Sequence, residues 1–347
     1  SPYLLTGDVT IPANYDLDIE AGVEIRFTPL SDDQSGGTDA NRVEIIVNGG
    51  LDVLGTASDT VRFLSNGESP ASGDWYGIRY QNYPAGNVSY ARFDHATQAI
   101  KYDDWISYSN SNQTSDTLKV RHNKIVNSGA GIRSYGAYVN MSIDSNYYES
   151  PGSFIYAYYN PGRSDADLFF NVRGNTSKGG SISIDNYQNS SDNYEVKVVI
   201  KNNELDRTIQ VSRSEQVLIS DNILAMANNY SDGINEYYVA NSEIKNNQLT
   251  GYSLNNSTGI YLDRSNSTVS DNVISKFNTG ISVSTDFTNP TFDSLLRNTV
   301  VFNGSKGIYV SDYGRVLAQY NNIYDNYDTA SYNESSSQYF QTYDFYA

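Results

Sequence analysis

An asparagine returns about every twenty-five residues over most of this chain, and this period constrains the fold more than any other feature of the sequence. Each copy lies three positions after an aliphatic residue and usually two positions before a second one. By subtraction, successive copies lie 23, 29, 28, 19, 25, 25, 26 and 23 positions apart. The repeated asparagines are Asn123, Asn146, Asn175, Asn203, Asn222, Asn247, Asn272, Asn298 and Asn321. Such repetition indicates one structural unit stacked many times.

A second mark follows most of these asparagines, where a small residue precedes an isoleucine that opens an alternating run. The isoleucines are Ile132, Ile209, Ile234, Ile260, Ile281 and Ile308. Aliphatic residues two positions apart point to one face of a strand, and the residue between them points to the other face. Each repeat therefore contributes at least two short strands.

Strand-containing repeats of this length leave three architectures: a parallel β-helix, a leucine-rich horseshoe or a propeller. The leucine-dense strands of a horseshoe and the four strands per roughly forty residues of a propeller are both missing. Asparagine suits the corner of a β-helix, because it tolerates left-handed backbone and because stacked copies can hydrogen-bond as a ladder. The sequence predicts an all-β, single-stranded parallel β-helix of about a dozen turns.

The first hundred residues carry a different set of motifs. They read Ile11-Pro12-Ala13-Asn14, Ile19-Glu20-Ala21-Gly22-Val23, Val47-Asn48-Gly49-Gly50-Leu51-Asp52-Val53-Leu54-Gly55-Thr56 and Gly73-Asp74-Trp75-Tyr76-Gly77-Ile78. This region resembles secreted bacterial and archaeal right-handed parallel β-helix proteins with a capping first turn. Asn14 stands where that family usually has glycine, and Ala21 where it usually has proline. The resemblance implies a right-handed helix and a secreted or cell-surface location, and it implies little about activity.

These patterns predict that residues 1–347 form one β-helix domain. Within it, residues 1–28 are expected to form an N-terminal capping turn, and residues 29–117 early turns with loop insertions. Residues 118–325 would hold the regular asparagine turns. Residues 326–347 lose the repeat and are rich in aromatic residues, which predicts a C-terminal cap or tail over the last turn.

Composition excludes several function classes. The chain has 23 basic and 40 acidic residues and a formal net charge of −17, which disfavours nucleic acid and anionic lipid as partners. It has no cysteine and two histidines, which leaves no thiolate chemistry and little for a zinc or copper site. No apolar run approaches the roughly twenty residues that span a bilayer, so membrane insertion is not expected.

Catalytic motifs of polysaccharide-degrading β-helices, such as W-x-D-H or G-H-G, do not occur in the sequence. An acid–base pair could still form from residues of successive turns. The candidates that follow the second strand of their turns are Asp263, Arg264, Asp286, Asp312 and Arg315. Charges of this kind are also typical of solvated loops, and the sequence favours that interpretation.

Tyrosine is abundant, with 31 residues, and several tyrosines alternate with core-facing residues. Period two directs such rings outward, where they can stack on sugar rings or pack against another copy of the chain. The predicted ligand-binding residues are Tyr135, Tyr156, Tyr158, Tyr261 and Tyr309. Unpartnered surface tyrosines are the alternative.

Residues 31–39 are the most metal-like segment, because they combine carboxylates with glycines that expose backbone carbonyls. Asp32, Asp33 and Asp39 are the candidate ligands of a calcium ion. The spacing does not match an EF-hand, and a flexible acidic insertion is the favoured alternative.

The sequence thus predicts an extracellular or cell-surface structural or adhesive protein without an evident catalytic site. Its expected partners are copies of itself or surface glycans. The sequence indicates no certain cofactor, and Ca²⁺ is the one candidate. The alternative is a polysaccharide lyase or glycoside hydrolase that works on the outer face of the β-helix.

Overall fold

The structure of the protein is a computed structural model. It describes residues 2–81, 86–103, 117–135, 139–159, 167–186, 195–228, 231–285, 291–311, 315–326, 328–332 and 341–343, with backbone alone at 159, 328–332 and 341–343. These residues form two compact units, residues 1–180 with 186–194 and residues 181–185 with 195–347. All regular secondary structure in the described residues is β-strand. These residues contain no helix that is long and apolar enough to cross a membrane.

The first unit contains three parallel sheets, which the chain visits in a fixed order. Its first sheet comprises β1 (Tyr3–Leu5), β4 (Glu24–Phe27), β7 (Val61–Ser65), β10 (Ala91–Asp94), β13 (Lys124–Val126), β16 (Tyr147–Glu149) and β19 (Thr176–Lys178). Its second sheet comprises β2 (Val9–Ile11), β5 (Glu44–Val47), β8 (Gly77–Tyr80), β11 (Ile100–Asp103), β14 (Ile132–Tyr135) and β17 (Ile155–Tyr159). Its third sheet comprises β3 (Asp16–Glu20), β6 (Gly50–Leu54), β9 (Gly86–Ser89), β12 (Thr117–Arg121), β15 (Asn140–Asp144) and β18 (Leu168–Arg173).

The second unit repeats this plan. Its first sheet comprises β22 (Glu204–Leu205), β25 (Ile223–Ala225), β28 (Gln248–Thr250), β31 (Val273–Ser275), β34 (Thr299–Val301) and β37 (Asn322–Tyr324). Its second sheet comprises β20 (Ile182–Asn186), β23 (Ile209–Ser212), β26 (Ile234–Tyr237), β29 (Thr258–Asp263), β32 (Thr279–Ser284), β35 (Lys306–Val310) and β38 (Asp328–Tyr332). Its third sheet comprises β21 (Val196–Lys201), β24 (Gln216–Ser220), β27 (Ser242–Lys245), β30 (Ser267–Ser270), β33 (Phe292–Leu296), β36 (Arg315–Gln319) and β39 (Gln341–Tyr343).

Strands three apart in the chain pair in parallel, which is the arrangement of a parallel β-helix and confirms the predicted fold class. The isoleucines that open the second strand of each turn stack on one another inside the second unit, as Ile209, Ile234, Ile260, Ile281 and Ile308. All of them are buried. Because parallel strands in register place like residues side by side, this aliphatic position forms one continuous column of the apolar core.

The asparagines form buried hydrogen-bond ladders in both units. In the first unit, the Nδ2 atom of Asn146 donates to Oδ1 of Asn175 at 3.0 Å, and Asn123 donates to Asn146 at the same distance. In the second unit, the bonds run Asn203 to Asn222, Asn222 to Asn247, Asn247 to Asn272, Asn272 to Asn298 and Asn298 to Asn321. The predicted asparagine hydrogen bonding is confirmed.

The explanation for asparagine at the corner needs one correction. Left-handed backbone does not occur at the ladder residue but at the residue before it, for example at Asn246 (φ 56°), Asp271 (φ 57°) and Arg297 (φ 53°). The ladder residue is therefore asparagine because its side chain donates and accepts hydrogen bonds at a buried corner, where unpaired backbone groups would be costly.

The motif around Trp75 closes an early turn. Its ring stacks on Phe27 at a centroid distance of 3.9 Å, and its Nε1 atom donates to the backbone oxygen of Asp94 at 2.9 Å. The preceding Asp74 accepts hydrogen bonds from the Ser65 hydroxyl (2.6 Å) and the Ala71 backbone (3.0 Å). Gly77 has φ +142°, and a Cβ atom there would lie 1.8 Å from a backbone oxygen. Packing and hydrogen bonding inside the β-helix thus account for Asp74, Trp75 and Gly77 of this motif.

The predicted division into cap, early turns, regular turns and tail stays a prediction. In the predicted capping turn, β1, β2 and β3 are the edge strands of their sheets. Residues 333–340 and 344–347, which hold most of the predicted aromatic tail, lie outside the described residues.

Candidate functional site

The outward face of the second sheet in the first unit carries a row of basic and aromatic side chains. Arg79 pairs in register with Lys101, Lys101 with Arg133, and Arg133 with Tyr156. Because paired residues of parallel strands lie about 4.8 Å apart and point to the same face, these side chains form one continuous row. Tyr135 belongs to the neighbouring row, where it pairs with Asp103 and Tyr158.

Aromatic rings and cations of this face lie close together. The rings of Tyr135 and Tyr156 are 5.6 Å apart and tilted by 49°. The Lys101 Nζ atom lies 5.9 Å from the centroid of the Tyr135 ring and 5.6 Å from that of Tyr76. One guanidinium nitrogen of Arg133 donates to the Tyr135 hydroxyl at 3.3 Å. We call Tyr76, Lys101, Arg133, Tyr135 and Tyr156 the basic–aromatic patch.

Lys101 stays charged although it is only 8% exposed. Burial disfavours its ammonium form, but hydrogen bonds and charge interactions with Asp103 and Tyr76 outweigh burial and raise the pKa of Lys101. Its Nζ atom lies 2.6 Å from an Asp103 oxygen and 3.2 Å from the Tyr76 hydroxyl. Lys101 is therefore a fixed cation held from two sides.

Several buried polar atoms near the patch have no hydrogen-bond partner among the described residues. They include Nε of Arg133 and Oε1 of Gln98. Gln98 is 8% exposed, and its Nε2 atom donates to the Tyr76 hydroxyl at 3.2 Å. Unpaired polar atoms in a buried position are uncommon, and a bound water or ion is one explanation for them.

At one end of the row, Arg79 is neutralised by Glu44, and both side chains are almost fully buried. The backbone N–H of Glu44 donates to Asp8 at 2.8 Å. Burial raises the pKa of Asp8 to about 6, assisted by the negative charges of Asp32 and Glu44 and opposed by the Glu44 hydrogen bond and by Arg79. Lys101 is paired with Asp103 in the same way, so among the described residues of the row the positive charge without an acidic partner lies on Arg133.

Two of the three predicted calcium ligands, Asp32 and Asp39, make local polar contacts through their carboxylates. Asp32 accepts the backbone N–H groups of Asp8 (3.2 Å), Gln34 (3.0 Å) and Gly36 (2.8 Å). Asp39 pairs with Arg42, and Asp33 is exposed. Across the part of the chain that the structure describes, no three His, Asp or Glu side chains are grouped as a metal site requires. The calcium site stays a prediction.

In the second unit, the outward tyrosines also lie on the second sheet. Tyr261 packs edge-on against Tyr237 at 5.7 Å, and the Lys306 Nζ atom lies 3.7 Å from the centroid of the Tyr309 ring. Burial, followed by the charge of Asp263, raises the pKa of Tyr261. Its phenol consequently remains a hydrogen-bond donor at neutral pH.

The candidate catalytic residues are only partly brought together. Asp263 and Arg264 form a two-point ion pair at 2.6 and 3.1 Å, and the Arg264 guanidinium lies 4.1 Å from the centroid of the Tyr238 ring. Arg315 begins β36, in the third sheet rather than the second. Asp286 and Asp312 lie outside the described residues.

A groove that sequence reasoning missed crosses the outward face of the third sheet in the first unit. Its cavity measures about 630 Å³. Its lining includes Asp18 and Asp52, which are register partners, and the Asp52 carboxylate accepts the backbone N–H of Asn87 at 2.9 Å. Lys119 also lines the groove and is the register partner of Asn87. Alternation within β3 and β6 directs these residues outward, so the period of the strands was an available signal.

Comparisons with known proteins agree with this architecture. Residues 180–344 match the family model described as right handed beta helix region. The chain is similar to the periplasmic alginate epimerase AlgG, with TM-score 0.56 and 11% identity over 95% of this chain and 78% of that chain.

Two further similarities are weaker. The Dettilon tailspike protein gives TM-score 0.37 and 13% identity over 94% of this chain and 62% of that chain. The GH136 lacto-N-biosidase from Eubacterium ramulus gives TM-score 0.27 and 10% identity over 91% and 63%. No curated protein matches the sequence. At these identities the likeness shows the fold alone.

Proposed function

Starting from the fact that this chain is a right-handed parallel β-helix, we propose that it is an extracellular or cell-surface scaffold that binds glycans on the outward face of its second sheet. The β-helix supplies a rigid surface, and the side chains on that surface supply recognition. We place the protein outside the cytoplasm because its N-terminal motifs resemble those of secreted β-helix proteins.

One observation carries this proposal: the tilted pair of half-buried tyrosines, Tyr135 and Tyr156, lies beside two cationic side chains. Tyrosine presents an apolar ring face and a polar hydroxyl, which suits it to a sugar with both C–H and O–H groups. Because the rings are held by packing on a sheet, binding costs little side-chain entropy.

Replacing both rings, as Tyr135→Ala and Tyr156→Ala, is expected to weaken glycan binding at least tenfold, because the stacking surface disappears. Retention on an array of bacterial and plant polysaccharides, followed by calorimetry on the best ligand, measures the effect. Tyr252→Ala is the matched control, since Tyr252 is 62% exposed and lies in the second unit. Failure of the native protein to bind any glycan on the array would refute the proposal.

Self-association is the competing use of the same tyrosines. Sedimentation of the native protein and of the double variant separates the two uses. Native oligomers that dissociate in the variant, without glycan binding by either protein, would assign the face to assembly between copies of this chain.

The groove of the third sheet favours a second candidate function, glycoside hydrolysis. Asp18 and Asp52 are register partners on adjacent strands, so their backbones lie about 4.8 Å apart, and retaining glycosidases use two carboxylates about 5 Å apart. If the groove is catalytic, Asp52→Asn abolishes the release of reducing ends from the substrate, and Asp144→Asn on β15 leaves it unchanged. Absence of hydrolysis by the native protein would dismiss this candidate.

A further inference from the structure

Resting on the proposed glycan-binding function, we infer that the basic–aromatic patch selects a charged glycan and that Arg133 binds its anionic group. The anionic group is a carboxylate or a sulfate ester on a sugar ring.

Arg133 is the cation of this row whose charge is least satisfied. Arg79 is paired with Glu44, and Lys101 is paired with Asp103. Arg133 donates to the uncharged hydroxyl of Tyr135, and its Nε atom is buried without a partner among the described residues. A guanidinium has five N–H donors in a planar fork, and a carboxylate or sulfate oxygen pair matches that fork.

Two phenolic hydroxyls of the patch accept hydrogen bonds from neighbouring side chains and keep a proton to donate. The Tyr76 hydroxyl accepts from Lys101 and from Gln98, both at 3.2 Å, so its own proton is available to another acceptor. The Tyr135 hydroxyl likewise accepts from Arg133. The patch thus combines the Arg133 guanidinium with two phenolic donors, which favours an acceptor-rich anionic group over a neutral hydroxyl.

Charge elsewhere sharpens this preference. The chain carries a formal net charge of −17, so a large polyanion is repelled by most of its surface. A glycan with an isolated anionic group can meet Arg133 locally while its neutral rings contact Tyr135 and Tyr156. The patch therefore fits a sugar chain with spaced charges better than a nucleic acid with one charge per phosphate.

Three probes with one backbone test the inference: a cello-oligosaccharide, its C6-carboxylated form and its C6-sulfated form. Calorimetry at low and high salt should show at least tenfold tighter binding of one anionic form than of the neutral form. The preference should weaken as salt is added. Comparing the carboxylated and sulfated probes identifies which anion the patch prefers.

The variants separate charge recognition from stacking. Arg133→Gln should lose the preference for the anionic probe about tenfold while keeping the neutral affinity, and Arg133→Lys should recover part of it. Arg173→Gln, an exposed arginine on β18, should change nothing. Equal affinity for all three probes, with loss of binding in the tyrosine variants, overturns the inference but leaves glycan binding intact. Absence of binding to every glycan tested would overturn both.

Discussion

Asn247→Ala is expected to lower the free energy of unfolding by about 4 kcal/mol, because it removes four buried hydrogen bonds. The Asn247 Oδ1 atom accepts from the backbone N–H of Asn222 (3.0 Å) and from its Nδ2 atom (2.9 Å). The Asn247 Nδ2 atom donates to the backbone oxygen of Ile219 and to Oδ1 of Asn272, both at 2.9 Å. Alanine cannot make these side-chain hydrogen bonds to Asn222, Ile219 and Asn272. Asn247 is only 1% exposed, so water cannot readily replace them.

Urea denaturation followed by circular dichroism measures this loss as a shift of the transition midpoint. The matched control is Gln248→Ala at the next position, whose side chain is exposed on the outward face of β28. That control is expected to stay within about 0.5 kcal/mol of the native protein. If Asn247→Ala and Gln248→Ala unfold at the same urea concentration, the Asn247 side chain contributes no more to the free energy of unfolding than an exposed side chain does.

The ladder was predictable from sequence because one chemical need recurs at one register position. Every ladder asparagine must hydrogen-bond to the backbone groups of the same corner. Asparagine therefore recurs in the sequence with the period of the turns. The backbone conformation at that corner was not predictable in the same way. Left-handed φ occurs at the preceding residue. That residue is His122, Asn202 or Asp221 in different turns, so no one residue type marks the position in the sequence.

The outward tyrosines were also predictable, since alternation along a strand fixes which face a residue takes. The basic row beside them was not. Arg79, Lys101 and Arg133 are separated by 22 and 32 positions, by subtraction, because the loops between their strands differ in length. Only the strand register of the folded protein shows that these cations are neighbours.

One buried site had a sequence signal that was overlooked. Glu236 occupies the position of its turn where neighbouring turns have Val211 and Leu262. A charged residue in a predicted core-facing place is informative, because burial of a charge is costly unless it is neutralised.

Glu236 and Asp293 are buried inside the second unit, at 0% and 1% exposure. The Ser242 and Ser267 hydroxyls donate to the two Glu236 oxygens at 2.5 and 2.8 Å, and the Ser267 backbone N–H donates to Asp293 at 2.8 Å. Burial raises the pKa of Glu236 to about 7, against the effect of the serine hydrogen bonds. Burial raises the pKa of Asp293 to about 8, opposed by the Ser267 hydrogen bonds and assisted by the charge of Glu236.

These raised pKa values make the protein most stable in mild acid. Between about pH 4, where the unfolded carboxyls ionise, and pH 8, the folded state holds more protons than the unfolded state. The free energy of unfolding therefore falls as pH rises through this window and levels off above it. A fall of several kcal/mol is expected, since each unit of pKa difference is worth about 1.4 kcal/mol.

The double variant Glu236→Gln and Asp293→Asn should remove most of this dependence. Its carboxamides cannot ionise, so at pH 9 the variant should unfold at a higher temperature than the native protein, and the difference should shrink toward pH 4. Thermal unfolding at half-unit pH intervals measures both effects. Glu243→Gln is the control, because Glu243 lies on the same strand as Ser242 with an exposed side chain paired to Lys245.

Other carboxyl groups with shifted pKa values titrate in different parts of the pH range. The slope between pH 4 and 8 therefore reports mainly on Glu236 and Asp293. Glu24, Asp39, Asp221 and Asp271 have lowered pKa values, so they lose their stabilising effect only below about pH 4. Asp8, with a pKa of about 6, should leave a small residual slope in the double variant. A double variant that keeps the full native slope between pH 4 and 8 would show that the buried pair is not its source.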